Sequence, residues 1–471
     1  MISIKNKISA LIRFKNSWLI FPLLLFILYV PQAFWGMHVF GDKSAVQFIL
    51  ILILGLLAYF AIYLILKKIG PVSLGILNAG STIKRASDYF IPVVSAIYFL
   101  LIAYVLLTAE KIALLEAFRG ASADDIAFAR EALFKTRVGW ERLLPYLNSI
   151  FSSALMPFAL MISYLEKRRY RHWLFLLFCL SLFPSLEKVL ILKAVVPLIM
   201  LVLNGYLPRR WAILLIGSAI FTVGAAFYLA KSGDVDYLKQ SRETMAHLRW
   251  QQNLLPDTWR NDLNSKIKDS KEYRSANDYY MNYERNLLQQ IEFTQGEIRT
   301  IEKYSPFGSS PSAYKTNRLL WIPYVTAYDW ILFFNDRLDG RLLKGATSTL
   351  LAKLLGQDNF LMEREVFKFQ FGSGGAQTGA ANAVFLADAF VNFGWLGVAL
   401  YASFLAILIY VVTILSNPAM QACLYYFLIQ LSIGPLPGVL FSNGLLLLIV
   451  LSIFIRPKEH VPNLAKVGVT L

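Results

Sequence analysis

Charge is scarce in this sequence. Asp, Glu, Lys and Arg make up 16% of its 471 residues and hydrophobic types 57%, whereas a soluble globular domain carries roughly 25% charge. Several apolar runs exceed the ~18 residues that mark a spanning helix, which excludes an ordinary soluble chain. Cysteine is scarcer still. Cys179 and Cys423 each sit inside an apolar run, so a disulfide scaffold is excluded and two small packing residues remain. The four histidines (His38, His172, His247 and His460) lack ligand-like spacing, and no metal is expected. Neither a Walker spacing nor a strand-first glycine fingerprint occurs, and no cofactor is expected. The first apolar run follows Lys5, Lys7, Arg13 and Lys15, but it is long and has no small-residue cleavage site. It reads as a first transmembrane helix rather than a signal peptide.

What is present is basic and apolar. The net charge is +16. Much of the excess flanks apolar runs, as membrane proteins place it, and there is no nucleic-acid-binding motif. The runs predict an all-α, polytopic transmembrane helix bundle of about ten spans. They lie at 18–39, 46–66, 90–108, 143–165, 172–184, 188–204, 211–230, 392–415, 421–436 and 441–455. Lys67, Lys68, Lys84 and Arg85, then Lys167, Arg168, Arg169 and Arg171, then Arg209 and Arg210, and finally Arg456, Lys458 and Lys466 mark alternate connections and the tail. The positive-inside rule places these, and both termini, in the cytoplasm. The organisation is then residues 1–230 with seven spans and an external loop at 109–142, a large helical external loop at 231–391, and C-terminal spans at 392–471. The run Leu319–Phe334 is short for a span, contains Asp329, and reads as interfacial or re-entrant. A twelve-span alternative, in which this run and a partner both cross, keeps the same parity.

Four groups of residues could carry chemistry. Arg130, before the fourth span, is either a solvated surface arginine or a bidentate ligand for a pyrophosphate. Glu187 and Lys188 pair at a water boundary, whereas Lys193 lies inside a span and either snorkels outward or serves a functional site. Arg318 opens an amphipathic segment with Trp321 and Tyr324 as interface anchors. Glu363, Arg364 and Glu365 precede a run rich in glycine and small residues, 372–382, where exposed amides could hold an anion or form a flexible loop. Asp388 and Asn392 follow, beside Gly394 and Gly397, which suit close helix packing.

Four stretches together resemble the Wzy-type O-antigen and repeat-unit polysaccharide polymerases, within the wider group that includes the O-antigen ligases. They are Ala129–Pro157, Ser185–Leu203, Asn317–Phe334 and Thr378–Tyr401, and their order along the chain is similar to the family's. The family's arginine-to-glycine spacing in external loops is matched by Arg364 and Gly375. Where it has an arginine, this chain has Lys188 or Lys193. The ligases share a histidine after the large loop, and no histidine lies between His247 and His460, which favours polymerase over ligase.

The resemblance implies a metal-independent glycosyltransferase of the bacterial inner membrane. Its site would face the periplasm. It would polymerise oligosaccharide repeat units carried on undecaprenyl pyrophosphate, with lipid-linked donor and acceptor glycans, membrane lipids and a chain-length regulator as partners, and no nucleic acid. Arg130, Arg318 and Arg364 would stabilise the leaving pyrophosphate and are expected to converge, with Lys188, Lys193 and Gly375 also binding substrate. The base would be Glu363, Glu365 or Asp388. The alternatives are an O-antigen ligase and a lipid-linked oligosaccharide flippase or other transporter.

Overall fold

A computed structural model describes residues 13–70, 86–121, 123–134, 137–186, 192–208, 210, 211, 217, 303, 306, 307, 313, 316–371 and 380–457. Every regular element among them is helical. Five helical stretches are long and apolar enough to cross a membrane: Asn16–Phe40, Lys43–Ile69, Ser87–Leu107, Gly139–Leu165 and Phe385–Leu415. Four shorter apolar helices, of 10–17 residues, lie at Arg171–Ser185, Leu192–Leu203, Pro418–Ile433 and Leu445–Phe454. These helices fall on nine of the ten expected spans, but only five reach spanning length. The other expected span, 211–230, lies outside the described residues except for Trp211 and Gly217, as do the tyrosines of 279–283.

In chain order the elements used below are α1 (Ile20–Phe40), α2 (Lys43–Ile69), α3 (Ala86–Leu107), α4 (Ala113–Phe118), α5 (Ala123–Ala132), α6 (Leu144–Ile150) and α7 (Met156–Leu165). They continue with α8 (Arg171–Leu182), α9 (Leu192–Leu203), α10 (Ile322–Asp336), α11 (Thr349–Leu354) and α12 (Met362–Phe371). Last come α13 (Phe385–Leu415), α14 (Pro418–Ile433) and α15 (Leu445–Phe454). The chain forms two compact units. One comprises 1–25, 53–232 and 395–471; the other comprises 26–52 and 233–394.

The first unit is a helix bundle centred on α7. Each of its residues from Met156 to Leu165 is buried, as expected of a helix surrounded by others. It packs against α3, α8, α9 and α14. Hydrogen bonds pin the ends. The Asn417 side chain accepts from the amides of Ala419 and Met420, capping α14, while its own side-chain amide donates to the carbonyls of Ser452, in the last turn of α15, and Ile455, just past it. Outward positions such as Leu57 and Leu100 are well over half exposed. On helices this apolar, such faces suit lipid.

In the second unit the core is α10. From Tyr324 to Phe334 it is buried at every position but one, the half-buried Leu332. The run that sequence suggests as interfacial or re-entrant packs inside protein, and its leading residues Arg318, Leu319 and Leu320 face outward. Gly36 lets α1 approach this core, because a Cβ there would overlap the Tyr324 hydroxyl. The second key backbone feature is a kink in α13. Gly394 has φ +65° and ψ −153°, a region open essentially to glycine alone. The kink releases the carbonyls of Val391 and Asn392 from the helical ladder, and these accept hydrogen bonds from the amides of Leu343 (3.0 Å) and Lys344 (2.9 Å).

Candidate functional site

In the first unit the segment between α3 and α6, expected from sequence to be external, contains a helical hairpin of α4 and α5. Ala113 and Ala117 of α4 and Ile126 and Ala129 of α5 form one apolar cluster with Leu186. Leu186 adopts a left-handed conformation that ends the turn after α8. The hairpin thus packs on Leu186. Arg130 follows Ala129 in the last turn of α5. It is half-buried, and its Nε is sealed from solvent with no hydrogen-bond partner among the described residues. A buried donor without an acceptor costs about 1–3 kcal/mol.

Lys193 does not snorkel. It is 6% exposed, and its ammonium donates a 2.8 Å hydrogen bond to Ser152 Oγ. A π-helical turn at Phe151–Leu155 lies between α6 and α7, and both Ser152 and Ser153 are buried there. Such single-turn π insertions often occur at functional positions. Ser152 also lines a pocket whose polar wall includes Asn148, Ser181 and Ser185, and whose apolar wall includes Leu133 and Phe134 at the end of α5. Oδ1 of Asn148 is buried without a partner among the described residues.

Sequence reasoning overlooked Arg137. Its side chain is 6% exposed. It donates to the Val105 carbonyl (2.9 Å), the Leu133 carbonyl (3.2 Å) and Thr108 Oγ1 (2.6 Å), and it pairs with Glu141 at 3.3 Å. Glu141 in turn accepts from the Tyr104 hydroxyl at 2.5 Å. This arginine fastens the end of the hairpin to the end of α3. The glutamate four positions after it was the available signal.

In the second unit the candidate carboxylates separate by environment. Asp388 is 1% exposed. Its Oδ1 accepts from Thr347 Oγ1 (2.7 Å) and Asn392 Nδ2 (3.0 Å), while its Oδ2 is buried with no partner among the described residues. Asn392 also donates to Thr347 Oγ1 and accepts from the Gly345 amide at 2.9 Å. Sealed in this way, Asp388 holds the 343–347 segment against α13 and does not present an oxygen to solvent. Glu363 and Glu365, on α12, are partly exposed. The Glu363 carbonyl accepts from the Ala381 amide at 2.9 Å, which brings α12 to the segment before α13, and its carboxylate bears electrostatically on Asp388. Glu365 pairs with Lys368 at 2.8 Å.

A second buried network involves Asp329, which is fully buried, ion-paired with Lys303 and hydrogen-bonded by Gln370 Nε2 at 2.8 Å. The Lys303 ammonium lies 4.8 Å from the Tyr328 ring centroid and 5.7 Å from that of Phe40. Sequence reading noticed Asp329 only as a charge in an apolar run.

The structure therefore packs Ala129, the neighbour of Arg130, on Leu186 in the first unit, and brings Glu363 and Asp388 together in the second. Arg318 and Arg364 are exposed residues of the second unit. Lys188 and Gly375 lie outside the described residues. Among the described residues no group of three or more His, Cys, Asp or Glu side chains converges as metal ligands would. No protein-family model, curated protein or solved structure matches this chain.

Proposed function

We propose that this protein is a glycosyltransferase of the bacterial inner membrane that polymerises undecaprenyl-pyrophosphate-linked repeat units into O-antigen or a related surface polysaccharide, with its site facing the periplasm. The observation that carries the reading is Arg130. It stands on a helical hairpin that the positive-inside rule assigns to the outside, half-buried, with a sealed guanidinium nitrogen that has no acceptor among the described residues. A pyrophosphate at the outer leaflet would supply that acceptor with the bidentate geometry a guanidinium prefers.

In the reaction, an acceptor hydroxyl oxygen bonds to the anomeric carbon of the donor glycan. The bond from that carbon to the pyrophosphate oxygen breaks, and undecaprenyl pyrophosphate leaves with the electron pair. Positive groups lower the barrier by meeting the charge that develops on the leaving oxygen. This is the role assigned to Arg130, with Arg318, Arg364, Lys188 and Lys193 as further candidates. The hydroxyl proton passes to a carboxylate. Burial favours Glu363 or Glu365 over Asp388 for that step.

The deciding experiment is a gel of surface polysaccharide from a deletion strain. Loss of the ladder with one repeat unit still attached is the expected result. Loss of every repeat unit would point instead to a ligase or flippase and overturn the assignment.

A further inference from the structure

The second unit carries an apolar surface that begins on a spanning helix and continues onto the large loop. Within α1, the residues Phe34, Trp35 and Val39 are exposed. Trp35 makes an edge contact with Phe307, the ring centroids being 5.2 Å apart, and lies at the same distance from Trp321. Phe307 is 41% exposed and Leu319 68% exposed, and Leu320 is exposed beside it. Exposed Arg318 stands in the same run. The buried residues of the following helix, α10, do not share this surface.

We infer that Phe307, Leu319 and Leu320 are immersed in the outer leaflet of the lipid bilayer, with Arg318 at the level of the lipid phosphates. Three features select lipid as the occupant. The patch is continuous with the exposed face of α1, a helix whose length and apolarity fit a membrane. Phe307 and Trp321 reach α1 at Trp35, in its last turns, which is where a spanning helix leaves the hydrocarbon. Aromatic rings next to a basic side chain are the composition of a membrane interface. Water would instead face an apolar surface with no charged group at Phe307, Leu319 or Leu320, at a cost of about 25 cal/mol per Å². The large loop is thereby tied to the membrane surface. This inference does not depend on the chemistry proposed above.

The test uses full-length protein with Cys179 and Cys423 replaced by alanine, reconstituted in vesicles of phosphatidylcholine and phosphatidylglycerol at three to one. A nitroxide is attached in turn at Phe307→Cys, Leu319→Cys and Leu320→Cys. Leu100→Cys serves as the lipid-facing control and Asp358→Cys as the exposed loop control. Collision with oxygen should exceed collision with a water-soluble nickel chelate at the three sites, as at residue 100. Arg318→Glu should move the residue 319 label toward the chelate in these anionic vesicles. Chelate-dominated relaxation at all three sites, as at residue 358, would overturn the inference. So would dipolar broadening between labels, which would assign the face to a second copy of the chain. The three positions are read independently, so one variant that misfolds does not decide the outcome.

Discussion

The Thr347 hydroxyl donates a 2.7 Å hydrogen bond to the buried carboxylate of Asp388, and Asn392 closes the triangle by donating to both. This triangle fastens the 343–347 segment to the start of α13. Thr347→Val keeps the shape and removes the donor. It should lower stability by about 1–3 kcal/mol, because a buried acceptor loses a partner. Thr347→Ser should retain most of the stability. Thermal unfolding in detergent distinguishes the two, and equal losses in both variants would show that the methyl packing matters rather than the bond.

Gly394 should tolerate no side chain. Its φ of +65° with ψ −153° is costly for any L-residue with a Cβ, by about 1–3 kcal/mol. Gly394→Ala should therefore destabilise the protein and speed amide exchange at Leu343 and Lys344, whose bonds to Val391 and Asn392 depend on the kink. Exchange rates at those two amides that stay at the native level would show that the kink does not hold them.

A paired experiment tests the approach of α1 to α10. The Tyr324 hydroxyl is buried with no hydrogen-bond partner among the described residues. Tyr324→Phe should therefore be neutral or slightly stabilising, since it removes an unsatisfied polar group. Gly36→Ala alone places a methyl where that hydroxyl lies and should cost about 1–3 kcal/mol through overpacking. The double variant should recover part of the loss. Strict additivity of the two unfolding free energies would refute the contact.

Lys193 and Ser152 give a fourth prediction. Ser152→Ala removes one acceptor from a buried ammonium, and stability should fall by about 1–3 kcal/mol. Lys193→Met keeps the length of the side chain and removes the charge. If Lys193 serves substrate binding, polymerisation in reconstituted vesicles should fall at least tenfold while the unfolding temperature changes little. Full activity of Lys193→Met would assign the lysine to packing alone.

Arg130 carries the fifth. On the proposed function, Arg130→Lys should raise the donor KM, because a point charge cannot reproduce the guanidinium fork, and Arg130→Ala should reduce turnover further. Arg137→Ala should instead loosen the hairpin, since Arg137 bonds to Val105, Thr108 and Leu133. Its signature is a lower unfolding temperature. A normal donor KM in Arg130→Lys would favour reading that residue as a solvated surface arginine.

Length and apolarity alone determined where the helices lie, because a membrane-type helix declares itself by composition over about 20 residues. Nine expected spans therefore coincide with helices, although α8, α9, α14 and α15 are shorter than a full span. The same local pattern marked Arg130, Lys193, Glu363 and Asp388 as charges in or beside apolar surroundings. It could not tell which way each one turns. Tertiary packing sealed Asp388 with Thr347, left the Arg130 Nε without an acceptor among the described residues, and turned Lys193 inward to Ser152 instead of outward to water. It also buried α10, a run whose hydropathy fits an interface as well as a core, because hydropathy records what a segment avoids and not what covers it. Arg137 and Lys303 escaped notice for the same reason: their partners, Val105 and Asp329, lie 32 and 26 residues away in the chain and meet them only once the helices have packed.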